Sequence, residues 1–297
     1  MEAIDEHEPR IKVSLKTLVN LVKQAPLVDL SHKQIRAGQS GEYVSRFKGR
    51  GMEFDETRLY QPGDDIRSID WRVTARTNVT HSKVFREERE RPVFISVDSR
   101  PAMRFATRGV FKSVQAAKLA ALLAWAAHLN GDRVGGQVFN EKGCQELKPA
   151  SGKRAVLHFL NALVTPNPGR KLDNIPLEKV LLRLIQHARP GSLLYIISDF
   201  RGLDKHLDAY LSKLARHCEV VLIQVYDPLE SHLPAKGRYR LSDGSVDITI
   251  DSGDTKHVLA YQQQFQQRQH HLMTLCKKWR MNLLQCSTQQ QSIEALN

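Results

Sequence analysis

Three short apolar runs, each closed by an acid, constrain this chain more than any other feature: Pro92 to Asp98, Leu193 to Ser198 before Asp199, and Val220 to Tyr226 before Asp227. Runs of this length, rich in Val, Ile and Leu and bounded by turn residues, read as strands buried on both faces. Helical segments separate them. Ser113 to Asn130 is apolar nearly all round and stops at Gly131-Asp132, and Arg133 to Phe139 reads as a further strand. Lys153 to Leu163, Leu177 to Ala188 and Leu203 to Arg216 carry helical spacing. Strands alternating with helices predict an α/β domain, a mostly parallel Rossmann-like sheet with helices on both faces.

The flanks read differently. Near the N-terminus Leu15, Leu18, Val19 and Val22 mark a short amphipathic helix ended by Pro26. Gly38 to Thr80 is rich in Gly and turn signals, including Gln61-Pro62-Gly63-Asp64, and reads as a smaller, irregular or β-containing module. Beyond the sheet, Arg238 to Asp251 has the pattern of a hairpin around Asp243-Gly244. The Gln-rich segment Tyr261 to His271 lies within a long helix marked by Leu259, Phe265, Leu272 and Leu275, and Asn282 to Cys286 supplies a last strand. The expected division is residues 1–90 for the N-terminal helix and module, and 91–297 for the α/β domain.

Composition narrows the function. The most apolar stretch, Val114 to Leu129, is too short to span a membrane and is interrupted by Lys118, so it reads as a buried helix. The opening MEAIDEHEPR lacks a basic start and an apolar run, which predicts a cytoplasmic protein with no membrane insertion. Cys144, Cys218, Cys276 and Cys286 are scattered, without the spacing of a zinc site or a disulfide framework. A net charge of +12 invites nucleic acid. Against that, basic and acidic residues interleave, as in Arg86-Glu87-Glu88-Arg89-Glu90-Arg91. Only Thr255 to Arg280, with Lys256, Arg268, Lys277, Lys278 and Arg280 and no acid, offers a single-sign face.

The densest signal is Arg58-Leu59-Tyr60-Gln61-Pro62-Gly63-Asp64-Asp65-Ile66-Arg67-Ser68-Ile69-Asp70-Trp71, followed by Ala75-Arg76-Thr77 and preceded by Gly49-Arg50-Gly51-Met52-Glu53-Phe54. Two readings fit it. In one, Asp64, Asp65 and Asp70 meet Arg58, Arg67 and Arg72 in a partly buried network with Trp71 packed over it. In the other, Arg58, Tyr60, Asp64, Asp65, Arg67, Asp70, Trp71 and Arg76 form a partner surface, because Trp, Tyr and Arg dominate interface hot spots. The run resembles the bacterial domain-of-unknown-function family numbered fifty-eight, and the resemblance extends from Gly41 to Asp227 through Gly131-Asp132-Arg133-Val134-Gly135 and Ser198-Asp199.

That resemblance implies a von Willebrand factor A-like domain, in which an Asp-x-Ser-x-Ser run, a Thr from a later loop and a further Asp hold a divalent metal through oxygen ligands. Here the run reads Asp98-Ser99-Arg100-Pro101-Ala102. Arg100 and Ala102 stand where the serines would be, and the segment 166–174 offers Asp173 but no Thr after Thr165. Asp98 and Asp199 are the two remaining candidate ligands, so the site reads as degenerate, with no cofactor expected and Mg²⁺ its one candidate. Arg100 is placed to supply positive charge to both acids.

No nucleophile elbow, phosphate loop, zinc-protease pattern or dinucleotide fingerprint occurs, so no catalytic residue is assigned. His270-His271 reads as a pair of surface histidines. The resemblance implies an adaptor or scaffold that binds a MoxR-type AAA+ ATPase, its client protein, or both. The alternatives are a nucleic-acid-binding protein using the basic C-terminal helix, and a metal-dependent hydrolase drawing on Asp98, Asp199, Asp64, Asp65 and Asp70.

Overall fold

The computed structural model describes residues 8–30, 52–87, 90–141, 143–165, 177–203, 205–232, 237–242, 247–251 and 255–297. Packing divides the chain into two units, Met1–Ile35 together with Arg91–Asn297, and Arg36–Glu90. The N-terminal helix, grouped from sequence with the module, therefore belongs to the larger unit. The reason is burial: Leu18, Ala25, Val28 and Leu30 join the main core, and Trp125 Nε1 donates to the Leu18 carbonyl at 3.1 Å.

The N-terminal stretch forms α1 (Glu8–Ile11) and α2 (Leu15–Asn20). The smaller unit forms β1 (Met52–Leu59), α3 (Trp71–Thr77) and β2 (His81–Glu87). The larger unit continues with β3 (Pro92–Asp98), α4 (Lys112–Leu129), β4 (Arg133–Asn140), β5 (Gly143–Ala150), α5 (Lys153–Val164) and α6 (Leu177–His187). It is completed by β6 (Leu193–Ser198), α7 (Lys205–Ala215), β7 (Glu219–Tyr226), α8 (Pro228–Ser231), β8 (Arg238–Ser242), β9 (Asp247–Asp251), α9 (Thr255–Trp279) and β10 (Asn282–Ser287).

Six strands form one sheet in the order β10-β7-β6-β3-β4-β5, parallel except for the antiparallel edge strand β5. Read from β5, the first strand of the domain lies third, the reversal of strand order typical of doubly wound sheets. This is the expected α/β architecture, a mostly parallel sheet with helices on both faces. The central strands bury both faces by alternation. Val93, Ile95 and Val97 of β3 face the core under α4, α5 and α2, whereas Phe94 joins the core under α6, α7 and α9.

Helix α4 is the central pillar, buried on almost every side, and it ends where Gly131 adopts φ 79° and turns the chain into β4. β4 must lie close to its neighbours. A Cβ on Gly136 would meet the Ile95 carbonyl oxygen at 2.3 Å and Phe159 Cε2 at 2.6 Å. Among the described residues β8 and β9 pair with each other in a two-stranded sheet of their own, as the expected hairpin, and not with the main sheet. Its turn, Asp243-Gly244, lies outside the described residues.

In the smaller unit β1 and β2 pair antiparallel. Among its described side chains no hydrophobic one is buried, and only Asp70 and Ser82 reach that class.

Candidate functional site

The parallel strands β3, β6 and β7 lie side by side, and their carboxyl ends deliver Asp98, Asp199 and Asp227 to one edge. In open α/β sheets this edge is where ligands bind. Here every one of these acids is buried and already engaged.

Asp98 is held by its near neighbour Arg100. The Arg100 backbone N–H and Nε donate to Oδ1, each at 3.0 Å, and Nη2 donates to Oδ2 at 2.7 Å. Ser198 Oγ donates to the same Oδ2 at 2.7 Å, tying the end of β3 to that of β6. The guanidinium also lies 5.7 Å over the Phe139 ring, and Nη2 reaches the Arg201 carbonyl at 3.4 Å. Burial lowers the Arg100 pKa, but the bond to Asp98 and the charges of Asp98 and Asp199 outweigh it and raise the value overall.

Asp199 is not Arg100's hydrogen-bond partner, which corrects the expectation that one arginine serves both acids. Its partner is Lys112, the first residue of α4, whose Nζ donates to Asp199 Oδ2 at 2.9 Å and to Glu230 Oε1 at 2.7 Å. Lys112 is fully buried, and Asp199 and Glu230 nearly so. Arg201 closes the group from outside, with Nη2 donating to Glu230 Oε1 at 2.6 Å and Nε 3.5 Å from Asp199 Oδ2. Burial pushes the Asp199 carboxyl up, yet Lys112, the Arg201 backbone N–H and the Arg201 charge together hold it below its ordinary value. The next residue, Phe200, takes φ 54°, a left-handed backbone that non-glycine residues adopt only where surroundings enforce it.

Asp227 caps α8 and closes a capping box with Glu230, whose Oε2 accepts the Asp227 N–H at 3.2 Å. Thr107 and Thr288 hydroxyls donate to its two oxygens at 2.6 and 2.7 Å. Burial raises its pKa, and these bonds with those of the Thr107 and Leu229 backbones lower it further than burial raises it.

The donor set answers the metal question. A hard cation needs oxygen lone pairs, whereas Arg100 and Lys112 offer only N–H donors and positive charge, and Ala102 offers nothing. The oxygens of Asp98 are committed to Arg100 and Ser198, and those of Asp199 to Lys112 and the Arg201 backbone N–H. The residues at this edge do not fit a divalent cation. Among the described residues no group of His, Cys, Asp and Glu has a metal-holding arrangement. Asp173 lies outside the described residues.

The Arg/Asp/Trp run of the smaller unit departs from the expected buried network. Among the described arginines and aspartates of the run only Arg58 and Asp64 pair, Nη2 to Oδ1 at 2.7 Å, while Asp64 also accepts the Gln61 N–H at 3.0 Å in the expected turn and Asp70 Oδ2 lies 4.0 Å from Lys83 Nζ. Asp65 and Asp70 spend their carboxylates on backbone N–H groups. Asp65 accepts Arg67 N at 3.0 Å, and Asp70 caps α3 by accepting Arg72 N and Val73 N at 3.1 and 3.2 Å. Short helical turns have orphan donors to satisfy, and the nearest acids satisfy them. Trp71 is consequently 67% exposed, and Ile66 68%. Among the described residues no acid pairs with Arg67, Arg72 or Arg76. Tyr60 is half-buried, its backbone N–H bonded to the Thr80 carbonyl at 2.9 Å.

Sequence reasoning missed Lys112, Arg201 and Glu230. Two local signals point to Lys112 and Glu230: a lysine opening a mostly apolar helix, and the Asp-Pro-Leu-Glu capping pattern after β7.

The family model described as "Protein of unknown function DUF58" matches residues 56–271. This chain belongs to that family. Among curated relatives, the uncharacterized proteins Mb1516 of Mycobacterium bovis and Rv1480 of Mycobacterium tuberculosis are each 30% identical over 244 residues, covering 82% of this chain and 74% of theirs. Among solved structures, the conserved hypothetical protein BatB from Bacteroides thetaiotaomicron aligns with TM-score 0.44 at 16% identity, over 66% of this chain and 90% of that one. An aerotolerance-related membrane protein from Bacteroides fragilis aligns with TM-score 0.46 at 15% identity, over 69% and 94%. At that distance neither bears on function. Among the described residues of this DUF58 chain, no helix is long and apolar enough to cross a membrane.

Proposed function

We propose that this DUF58 protein is a non-enzymatic, cytoplasmic protein-binding adaptor whose partner is a MoxR-type AAA+ ATPase or that ATPase's client. One observation carries the reading: Trp71 stands two-thirds exposed on α3 beside cations that no described acid neutralises. Leaving an indole in water forgoes burial that a partner restores, and Trp and Arg are the residues that anchor interfaces. Positions 71, 72, 75 and 76 of α3 are exposed, so Arg72 and Arg76 stack one turn apart on the free face. Like charges at that spacing repel unless an anion lies between them. The partner face that suits α3 is therefore an apolar pocket for the indole bordered by carboxylates.

The hydrolase alternative loses support because each of its five acids is spent on a cap or an ion pair. In the nucleic-acid alternative one cation of the basic helix α9, Lys278, lies over the Trp279 ring at 5.4 Å, and Arg216, just beyond α7, lies over the same ring at 5.7 Å. The test is co-purification of the tagged chain with a purified MoxR-type ATPase, beside gel shifts on duplex and single-stranded DNA across a salt series. The expected result is a stoichiometric complex with the ATPase and no steeply salt-dependent shift. A salt-sensitive DNA complex without ATPase capture overturns the reading.

A further inference from the structure

At the carboxyl edge of the sheet Asp98, Asp199 and Glu230 are buried, and Arg100, Lys112 and Arg201 neutralise them. Lys112 is the anomaly. It opens α4, where unsatisfied backbone N–H groups favour an acid, and its ammonium is out of contact with water. A buried cation at the positive end of a helix is doubly unfavourable unless carboxylates meet it, and Asp199 and Glu230 do so at 2.9 and 2.7 Å. The same two contacts join three separate segments: the start of α4, the turn after β6 and the first turn of α8. Joining several chain segments through shared carboxylates is what a bound cation does.

We propose that Lys112 and Arg100 are the chain's own tethered substitutes for a divalent cation at this edge. The division of labour follows from the distances. Arg100 occupies Asp98, and Lys112 bridges Asp199 and Glu230. Arg201, the most exposed of the three cations, closes the group toward solvent. An ion comes and goes with its concentration; a side chain does not. The turns after β3 and β6 are thus set once, at folding, and whatever this protein binds is not gated by metal supply. The inference stands independently of the adaptor reading.

The experiment is a Mn²⁺ titration of the full chain, followed by electron paramagnetic resonance of the free ion and by the melting temperature, for wild type, Lys112→Ala and Lys118→Ala. Lys118 is the control, a half-buried lysine of the same helix whose pKa burial alone depresses. Wild type should take up no Mn²⁺ stoichiometrically, and its Tm should ignore both Mn²⁺ and chelator. Lys112→Ala should melt several degrees lower and regain at least half of that loss in millimolar Mn²⁺, whereas Lys118→Ala should show no response to metal. Stoichiometric uptake by wild type at micromolar Mn²⁺ overturns the proposal, as does a Lys112→Ala loss that metal does not recover, or no loss at all. If Lys112→Ala does not fold, Arg100→Ser in the same titration decides. Uptake at least tenfold above wild type supports the substitution, and uptake equal to wild type refutes it.

Discussion

Lys112 Nζ donates to both Asp199 and Glu230, at 2.9 and 2.7 Å, and the three side chains are together withdrawn from solvent. Asp199 and Glu230 are 87 and 118 residues away along the chain, so the lysine closes contacts that no local interaction specifies. Removing one partner of a buried ion pair leaves an uncompensated charge, which typically costs about 3–5 kcal/mol. Lys112→Met should therefore lose stability on that scale in urea unfolding. Arg58→Met, which breaks a part-exposed pair with Asp64, should lose far less. Equal losses would mean that the buried contact is not structural.

Acid should find the same edge. The carboxyls of Asp199 and Asp227 are held below the ordinary value by the contacts described above. A carboxyl with a depressed native pKa binds protons more readily when unfolded, so its contribution is fully present above the unfolded pKa of about 3.9. That contribution disappears as pH falls through the lower native values. Unfolding free energy measured by urea should be level from neutrality to about pH 5 and fall below about pH 4. In Lys112→Met the Asp199 carboxyl loses its main counter-charge and burial raises its native pKa, so its share of the acid loss should shrink or reverse. A stability that does not change down to pH 3 would contradict the assignment.

The tryptophans give opposite expectations. Trp125 is 2% exposed and hydrogen-bonded through Nε1, whereas Trp71 is 67% exposed. Trp125→Ala should cost about 3–5 kcal/mol, in the range of large-to-small core changes. Trp71→Ala should cost less than about 1 kcal/mol, as surface substitutions do. Acrylamide should quench fluorescence lost with Trp71 far better than fluorescence lost with Trp125. A large stability loss at Trp71 would restore the buried-network reading.

At Gly136 the strand spacing leaves no room for a methyl group. An added Cβ would lie 2.3 Å from the Ile95 carbonyl oxygen, which is backbone and cannot swing away. Gly136→Ala should cost about 1–3 kcal/mol or more through displacement of β4 from β3. A neutral outcome in urea unfolding would mean that the strand spacing is softer than described.

The α/β frame was legible because the central strands are short, wholly apolar and closed by acids, a pattern that few other structures tolerate. β5 was not, since Gly143, Lys148 and Pro149 break any apolar run; an antiparallel edge strand needs little burial, and Pro there blocks further pairing. Asp98 and Arg100 were legible as a pair because a single residue, Ser99, lies between them. Lys112 was hidden for the opposite reason: its partners arrive from strands and turns far along the chain. Trp71 was left between two readings, buried network and partner surface, because its residue type suits either. Its exposure depends on how little apolar cover the smaller unit provides, which composition does not reveal.

The most direct test of the adaptor reading is the affinity of a purified MoxR-type ATPase for wild type, Trp71→Ala and the double variant Arg72→Glu/Arg76→Glu, with Tm measured on each. The account predicts that both variants melt with wild type yet bind at least tenfold more weakly, a loss of about 1.4 kcal/mol or more. The charge reversal should also remove most of the salt dependence of binding. Affinities unchanged in both variants, with folding intact, would contradict it.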